Sequence, residues 1–353
     1  MCDGIGDITA FRLISFLGSA SEVFSEKSMH LSDISGIPAN IKNLLAHGVP
    51  WSKVDEELNF IDKKGIKYTT VLDKTYPQSL LQTPSPPVIL FHSGSLDNLH
   101  KRTCISIVGT RNCTPYGQEF VENLITEMKT MNISVISGLA LGIDITAHRK
   151  AVKNTLPTYA IVGHGLKTIY PALHRNTAQE MINSGGGIIT EFFSSEKPNR
   201  ENFPKRNRII AGLSTATLVI EASPKSGTLI TADYALNFKR KVFALPGRYT
   251  DKNSLGCNML LKNKQVKPII SIHDLLDSMG LKSLPAKPAE KKVPVLEPDE
   301  QLIFQLLQTK HEISIDNIAS ATNLQMNVCS SLLFNLEMQG LVRSLPGKTY
   351  GVA

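Results

Sequence analysis

Nowhere in this 353-residue chain does an apolar run approach the roughly 20 residues that cross a bilayer, so no membrane-spanning helix is expected. The N-terminus also lacks a basic stretch followed by an apolar core, which leaves no secretory signal to read. Cysteine is sparse and unpatterned: Cys2, Cys104, Cys113, Cys257 and Cys329 form no C-x-x-C pair. Such an odd, scattered set argues against a disulfide framework or a zinc site, and for reduced thiols in the cytoplasm. Nucleotide fingerprints are missing too. There is no G-x-x-x-x-G-K-[ST] loop, which excludes a P-loop NTPase. After the first candidate strand Gly109 is followed by Thr-Arg-Asn-Cys, and the second runs into Ile-Ser-Gly-Leu-Ala instead of a ribose-binding acid, so a dinucleotide is not expected. No H-E-x-x-H, Ser/His/Asp order or cysteine ligand set appears, and neither cofactor nor metal is expected.

What the chain does carry is a localised positive charge. The formal net charge is +7, and residues 101–280 alone hold 23 Lys/Arg against 13 Asp/Glu, while the rest is slightly acidic. A basic face attracts polyanions and gains from counterion release, although solvated surface lysines give the same count.

The pattern divides the chain into four parts. Residues 1–65 read as a helical module of helix-hairpin-helix or SAM-like type, with Gly-Ile turns at Gly4 and within Ser35–Gly48 ahead of amphipathic runs. Residues 66–280 enter through a Pro-rich approach (83–94) and then alternate strand-like runs with helical patterns. The runs are Cys104–Val108, Ile133–Ile136, Thr158–Val162, Gly187–Thr190, Thr217–Ile220 and Lys241–Leu245. That alternation specifies an α/β fold, a Rossmann-like doubly wound parallel sheet, with ligands expected at the carboxyl ends of its strands. Residues 281–298, rich in Pro, Lys and Ala, read as a linker, and 299–353 as three helices and a hairpin turning at Pro346-Gly347, a winged-helix-like domain.

Five segments at the strand ends carry the chemistry. The first, Val108–Gly117, sets Gly109, Thr110 and Arg111 at the mouth of a helix, where an anion is favoured. The second, Ser137–Asp144, is another small-residue loop, with Ser137 and Gly138 at its start. The third, Val162–Pro171, holds Gly163 and His164. The fourth, Asn202–Ser214, reads as a loop packing Lys205, Arg206 and Arg208 together around Asn207. The fifth, Glu221–Ala232, sets Ser226, Gly227 and Thr228 before a helix. Singly, each is an ordinary tight βα turn. Together they describe a phosphate-lined rim. Aromatics near it are few: Tyr116, Tyr170, Phe203 and Tyr249, of which Phe203 could stack on a base or pack beneath its segment.

The strings IVGTR, SGLALGIDITAHRKA, GLKTIYP, FPKRNRIIAGLS, EASPKSGTLITADYAL and VFALPG follow one another across residues 105–247. In this order and spacing they resemble the DprA (Smf) family of DNA-processing proteins of natural transformation. The resemblance implies a non-enzymatic protein that binds single-stranded DNA without strong sequence preference. It further implies a homodimer joined through the Rossmann-like domain, protection of incoming DNA, and loading of the RecA recombinase. By motif, Arg111 would be the principal phosphate contact and Ser137 and Gly138 would leave access. Arg206, Asn207 and Arg208 would build the basic pocket, with Ser226, Gly227 and Thr228 opposite. His164 and Lys167 depart from the family's G-x-G-L-D-x-x-Y-P pattern, and Arg175 would be a further backbone contact.

Two other classes compete. Lysine-decarboxylase-like phosphoribohydrolases share the fold type but are expected to carry a P-G-G-x-G-T-x-x-E loop, and here Glu221-Ala-Ser-Pro-Lys-Ser-Gly-Thr continues with no glutamate after the threonine. Asp144 and Glu221 are the candidate acids, Glu221 reading as a structural hydrogen-bonding group. A winged-helix regulator would need basic residues on its recognition helix, and 327–340 has none.

Overall fold

Along Thr103–Val108 (β3) successive side chains point to opposite faces of the pleat, so Cys104 and Val108 enter one core and Ile105 and Ile107 the other. A strand buried on both faces belongs in the middle of a layered α/β sheet, and that is where it lies. The computed structural model describes residues 5–25, 41, 45, 51–281, 296–310, 312–345 and 347–352. Cys2, the second Gly-Ile turn (apart from Ile41 and Leu45), residues 282–295 of the linker and Pro346 lie outside the described residues. The chain forms two compact units, Met1–Leu284 and Pro285–Ala353.

In the first unit the six expected runs are strands within one residue of their expected ends: β3, Ile133–Ser137 (β4), Thr158–Ile161 (β5), Gly187–Thr190 (β6), Ala216–Val219 (β7) and Lys241–Ala244 (β8). Three more strands join them. Ile89–Gly94 (β2) adds antiparallel to β6, Lys67–Thr70 (β1) antiparallel to β2, and Val266–Pro268 (β9) parallel to β8. The order is β1-β2-β6-β5-β4-β3-β7-β8-β9. Chain order runs outward from β3 through β4, β5 and β6, then restarts on its other side at β7. The reversal opens a crevice above the carboxyl ends of β3, β4 and β7.

The helices that matter for the site are Asp7–Leu17 (α1), Pro115–Glu127 (α2), Ile143–Lys153 (α3), Asn202–Leu213 (α4) and Gly227–Asn237 (α5). The fourth basic segment is therefore a helix, not the loop its Pro and charge cluster suggest. Pro204 sits in the first turn, where the missing N–H costs no helical bond, and Ile209, Ile210 and Leu213 are buried in or against the sheet's core. Gly212 lets this helix approach closely: a Cβ there would lie 2.7 Å from Leu80 and 3.0 Å from Thr83. The N-terminal part of the unit is helical at Asp7–Leu17, Ala20–Val23 and Trp51–Lys64.

The second unit has helices Pro298–Lys310, Ile315–Thr322 and Met326–Met338 and strands Glu312–Ser314, Val342–Leu345 and Thr349–Val352. The last two pair as the expected hairpin, and Glu312–Ser314 adds beside Thr349–Val352. Ile303, Leu307, Ile318, Cys329, Leu333 and Leu336 fill its core, and the unit is a winged helix.

No helix among the described residues is long and apolar enough to cross a membrane.

Candidate nucleic-acid interface

The crevice is an open cleft of about 520 Å³ lined by loops of β3, β4 and β7 and one side of α4. Its floor begins at Gly109, where the chain must turn against the start of α3: a Cβ would meet Ile143 at 2.4 Å. Thr110 donates its N–H to the Glu221 carbonyl (2.7 Å) and accepts from the Ile143 N–H (3.2 Å), while the Thr228 hydroxyl donates to the Gly109 carbonyl (3.0 Å). Three elements thus pin this loop and leave Arg111 exposed at the rim. Helix α2 begins only at Pro115, capped by Thr114, so Arg111 sits on the loop and not at a helix mouth as expected.

Arg206 projects from α4 into the floor. Its guanidinium donates to the carbonyls of Gly138 (2.7 Å) and Ile161, and its Nε donates to Asn207 Oδ1 (3.1 Å). Burial pulls its pKa down to about 10, opposed by the neighbouring Asp144, so it stays charged at neutral pH. Asp144 accepts from the Gly138 and Ala140 N–H groups (3.1 and 3.3 Å); burial pushes its carboxyl upward, against Arg206 and those hydrogen bonds. Gly138 is what allows this meeting, since a Cβ there would be 2.7 Å from Asp144 and 2.9 Å from Arg206. Asn207 donates to the Gly227 carbonyl (3.2 Å), tying α4 to the start of α5. Ser226 caps α5 through the Thr228 N–H (3.2 Å).

An aromatic surface runs beside these cations. Arg111 lies 5.4 Å and Arg206 5.9 Å from the Phe203 ring centroid, and Phe203 stacks with Tyr170 at 6.4 Å. Tyr170 is half exposed. Phe203 is therefore both packed and presented, supporting Arg111 from below while lining the cleft. Arg200, exposed on the approach to α4, adds a third cation to the lining.

Of the residues expected at the site, Gly109, Thr110, Arg111, Arg206, Asn207, Ser226, Gly227 and Thr228 converge on the cleft, and Gly138 borders it beside Tyr170. The others lie elsewhere. Ser137 is buried and its hydroxyl donates to the Ile107 carbonyl (2.6 Å). Gly163 is buried against the first turn of α4, making room for Phe203. His164 is buried and neutral: Nε2 accepts from the Tyr170 N–H (3.3 Å), so Nδ1 carries the proton and donates to the Gly165 carbonyl (2.9 Å), and burial lowers its pKa. Lys205 and Arg175 are exposed but do not line the cleft.

Arg208 points the other way. It is buried, donating to Asp7 Oδ2 of α1 (2.7 Å), to Glu191 and to the Ser85 carbonyl (2.6 Å). Burial raises Glu191 from 4.5 to about 7; Arg208 opposes this and Asp7 reinforces it. The folded chain therefore holds a proton here that the unfolded chain releases above about pH 4.5. Stability contributed by this group is full below that pH and is lost as pH rises through 7. Thermal unfolding across this window is expected to show Glu191→Gln with a flatter pH dependence than the unaltered chain and a higher midpoint at pH 8. Parallel curves would place the proton elsewhere.

Glu221 accepts from the Thr114 N–H (2.8 Å) and hydroxyl (2.5 Å), the structural part its position suggested. Among the described residues no three His, Cys, Asp or Glu converge as metal ligands. With Asp144 balanced by Arg206, the cleft keeps a surplus of positive charge beside stacking surfaces.

A mostly parallel sheet of this topology, with a cationic and aromatic cleft over its switch point, defines a Rossmann-like protein. The family model described as DNA recombination-mediator protein A matches residues 67–280, and the DprA winged helix domain matches residues 286–348. Protein Smf of Synechocystis sp. is 32% identical over 98% of this chain and 95% of its own length. DNA processing protein DprA of Streptococcus pneumoniae is 38% identical over 59% of this chain and 72% of its own. The X-ray structure of the Streptococcus pneumoniae protein superposes with a TM-score of 0.67 at 30% identity, covering 78% of this chain and 93% of that one. DNA processing protein A of Helicobacter pylori, described for its single-stranded DNA binding mode, gives 0.55 at 28% identity over 60% and 95%. The chain belongs to the DNA recombination-mediator protein A (DprA/Smf) family, a family of DNA-processing proteins.

Proposed function

We propose that this protein binds single-stranded DNA in the β3–β4–β7 cleft, with little sequence preference, and as a homodimer protects the incoming strand and delivers it to the RecA recombinase. The carrying observation is the stack of Arg111 and Arg206 on Phe203, with Tyr170 continuing the aromatic surface. A single strand offers phosphates and unpaired π-faces in alternation, and a binder indifferent to sequence needs a cation and a ring side by side. Arg111 and Arg200 meet phosphates, Phe203 and Tyr170 meet bases, and Arg206 fixes the floor from which both are presented. Two such clefts in a dimer raise affinity for one strand through effective concentration. The Helicobacter pylori relative, described as binding single-stranded DNA, supports the choice of ligand.

Fluorescence anisotropy with oligonucleotides across a salt series tests this reading. Single strands are expected to bind more tightly than duplexes. Arg111→Ala is expected to lower affinity about tenfold or more for every sequence and to reduce the salt slope by about one. Equal affinity of the variant, with an intact fold, removes Arg111 from the site. Binding of mononucleotides but of neither DNA form transfers the cleft to the nucleotide-hydrolase reading.

A further inference from the structure

On the other side of the Arg111 loop lies a second open cleft, of about 590 Å³, over the carboxyl ends of β7 and β8. Thr114 and Tyr116 form one wall and Pro246, Arg248, Asp251 and Ser254 the other. The two walls are fastened together. The Tyr116 hydroxyl donates to the Pro246 carbonyl (3.0 Å), and Asn253 donates to the Asn112 carbonyl (2.8 Å), one residue past Arg111. Ala222, three residues past β7, donates its N–H to the Asn253 carbonyl (2.6 Å). The loop after β8 is thereby held against the loop that presents Arg111; Arg111 lines the first cleft and Thr114 the second, so two residues of one loop separate them.

Arg248 of its lining begins an exposed stretch, continuing through Tyr249 to Lys252, that has the chemistry of a strand binder. Arg248 and Lys252 are exposed, and neither side chain makes a hydrogen bond or ion pair among the described residues. Tyr249 lies between them, 84% exposed, an unusual position for a large ring with nothing packed on it. Tyr116, half exposed, faces the cleft across from this loop. Of the two acids at the cleft, Glu221 is fully engaged by Thr114. Asp251 is exposed and suits an amine on a base edge, not a phosphate.

We infer that this cleft, together with the exposed stretch beside it, is a second nucleotide-binding subsite, in which Arg248 and Lys252 take the backbone and Tyr249 stacks on a base of the same single strand that occupies the first cleft. The inference rests on the reading of the first cleft as the single-strand site. A bound strand must leave that cleft by one of its mouths. The mouth toward Leu141 and Tyr170 is apolar and aromatic without a free cation in its lining beyond Arg111 and the buried Arg206. On the opposite side, beyond Asn112, the loop after β8 carries exposed cations and a ring, and Coulomb attraction favours that course for the polyanion.

Anisotropy with a ladder of oligo-dT, spanning the roughly 4 to 16 nucleotides that strand-binding folds cover, tests the assignment on the full-length chain. The double variant Arg248→Ala/Tyr249→Ala is expected to bind the shortest oligonucleotides as the unaltered chain does. It should lose about tenfold on the longer ones, the size of one lost stacked base and phosphate. Both residues are exposed, so folding is not at risk. Equal affinity of this variant at all lengths, with Arg111→Ala still impaired, overturns the second subsite and leaves the first in place. Equal affinity of Arg111→Ala as well overturns the underlying reading. Loss of affinity in the double variant at the shortest lengths overturns the division into two subsites.

Discussion

Arg208→Ala is expected to cost the first unit about 3 to 5 kcal/mol, the penalty for leaving a buried charge without its partner. Asp7 and Glu191 both depend on this one guanidinium, and the Ser85 carbonyl loses its donor as well. A domain of this kind is stable by only about 5 to 15 kcal/mol, so the loss is a large share of the whole. The effect falls on folding and not on DNA affinity, because Arg208 faces away from the cleft. Urea unfolding followed by circular dichroism measures it. Replacing all three members together (Asp7→Leu, Glu191→Leu and Arg208→Met) is expected to recover most of the loss, since apolar packing substitutes for a buried ionic group more readily than half of one does. If Arg208→Ala unfolds at an unchanged midpoint but binds single strands weakly, Arg208 is a phosphate contact after all and the triad is energetically idle.

The second large effect belongs to Gly142→Ala. Gly142 has φ +75°, a conformation that L side chains rarely adopt, and a Cβ there would sit 2.2 Å from the Thr110 carbonyl oxygen and 2.6 Å from that of Arg111. The backbone strain alone is worth about 1 to 3 kcal/mol. Relief requires the Arg111 loop to move away from α3, which breaks the Ile143 N–H bond to Thr110 and withdraws the main cation from the cleft. The variant is expected to lose at least about tenfold in single-strand affinity, the change that one misplaced charge-assisted contact produces. Anisotropy paired with a thermal melt checks this. Undiminished binding would mean that the loop yields without moving Arg111.

The sheet was largely legible because its central strands are buried on both faces, and continuous aliphatic runs such as Cys104–Val108 admit few other structures of that length. The edges were not. Lys67–Thr70 is half exposed and carries no apolar period, and Ile89–Gly94 follows Pro84, Pro86 and Pro87, which made it look like a connector. At the site, glycines and caps announced the loops around Gly109 and Ser226. Sequence proximity then misled at α4. Lys205, Arg206 and Arg208 lie within four residues, yet a helix turns about 100° per residue and sends them to solvent, to the cleft floor and to the buried triad in turn. The stacking of Arg111 on Phe203 joins residues far apart in the chain, and no local pattern encodes it.

The two margins of the sheet carry a consequence for how copies of this protein meet. Just past β9 the Ile269 amide points to β8, donating to the Ala244 carbonyl (3.0 Å), so the preceding position 268 faces outward, and there proline offers no donor. At the opposite margin the Thr70 amide of β1 is already taken by the Asp73 carboxylate (2.6 Å). Each margin thus has one outward position that offers no free donor to an incoming strand. Were copies of this protein to line up along one bound strand as proposed, these two positions would work against their zippering edge to edge.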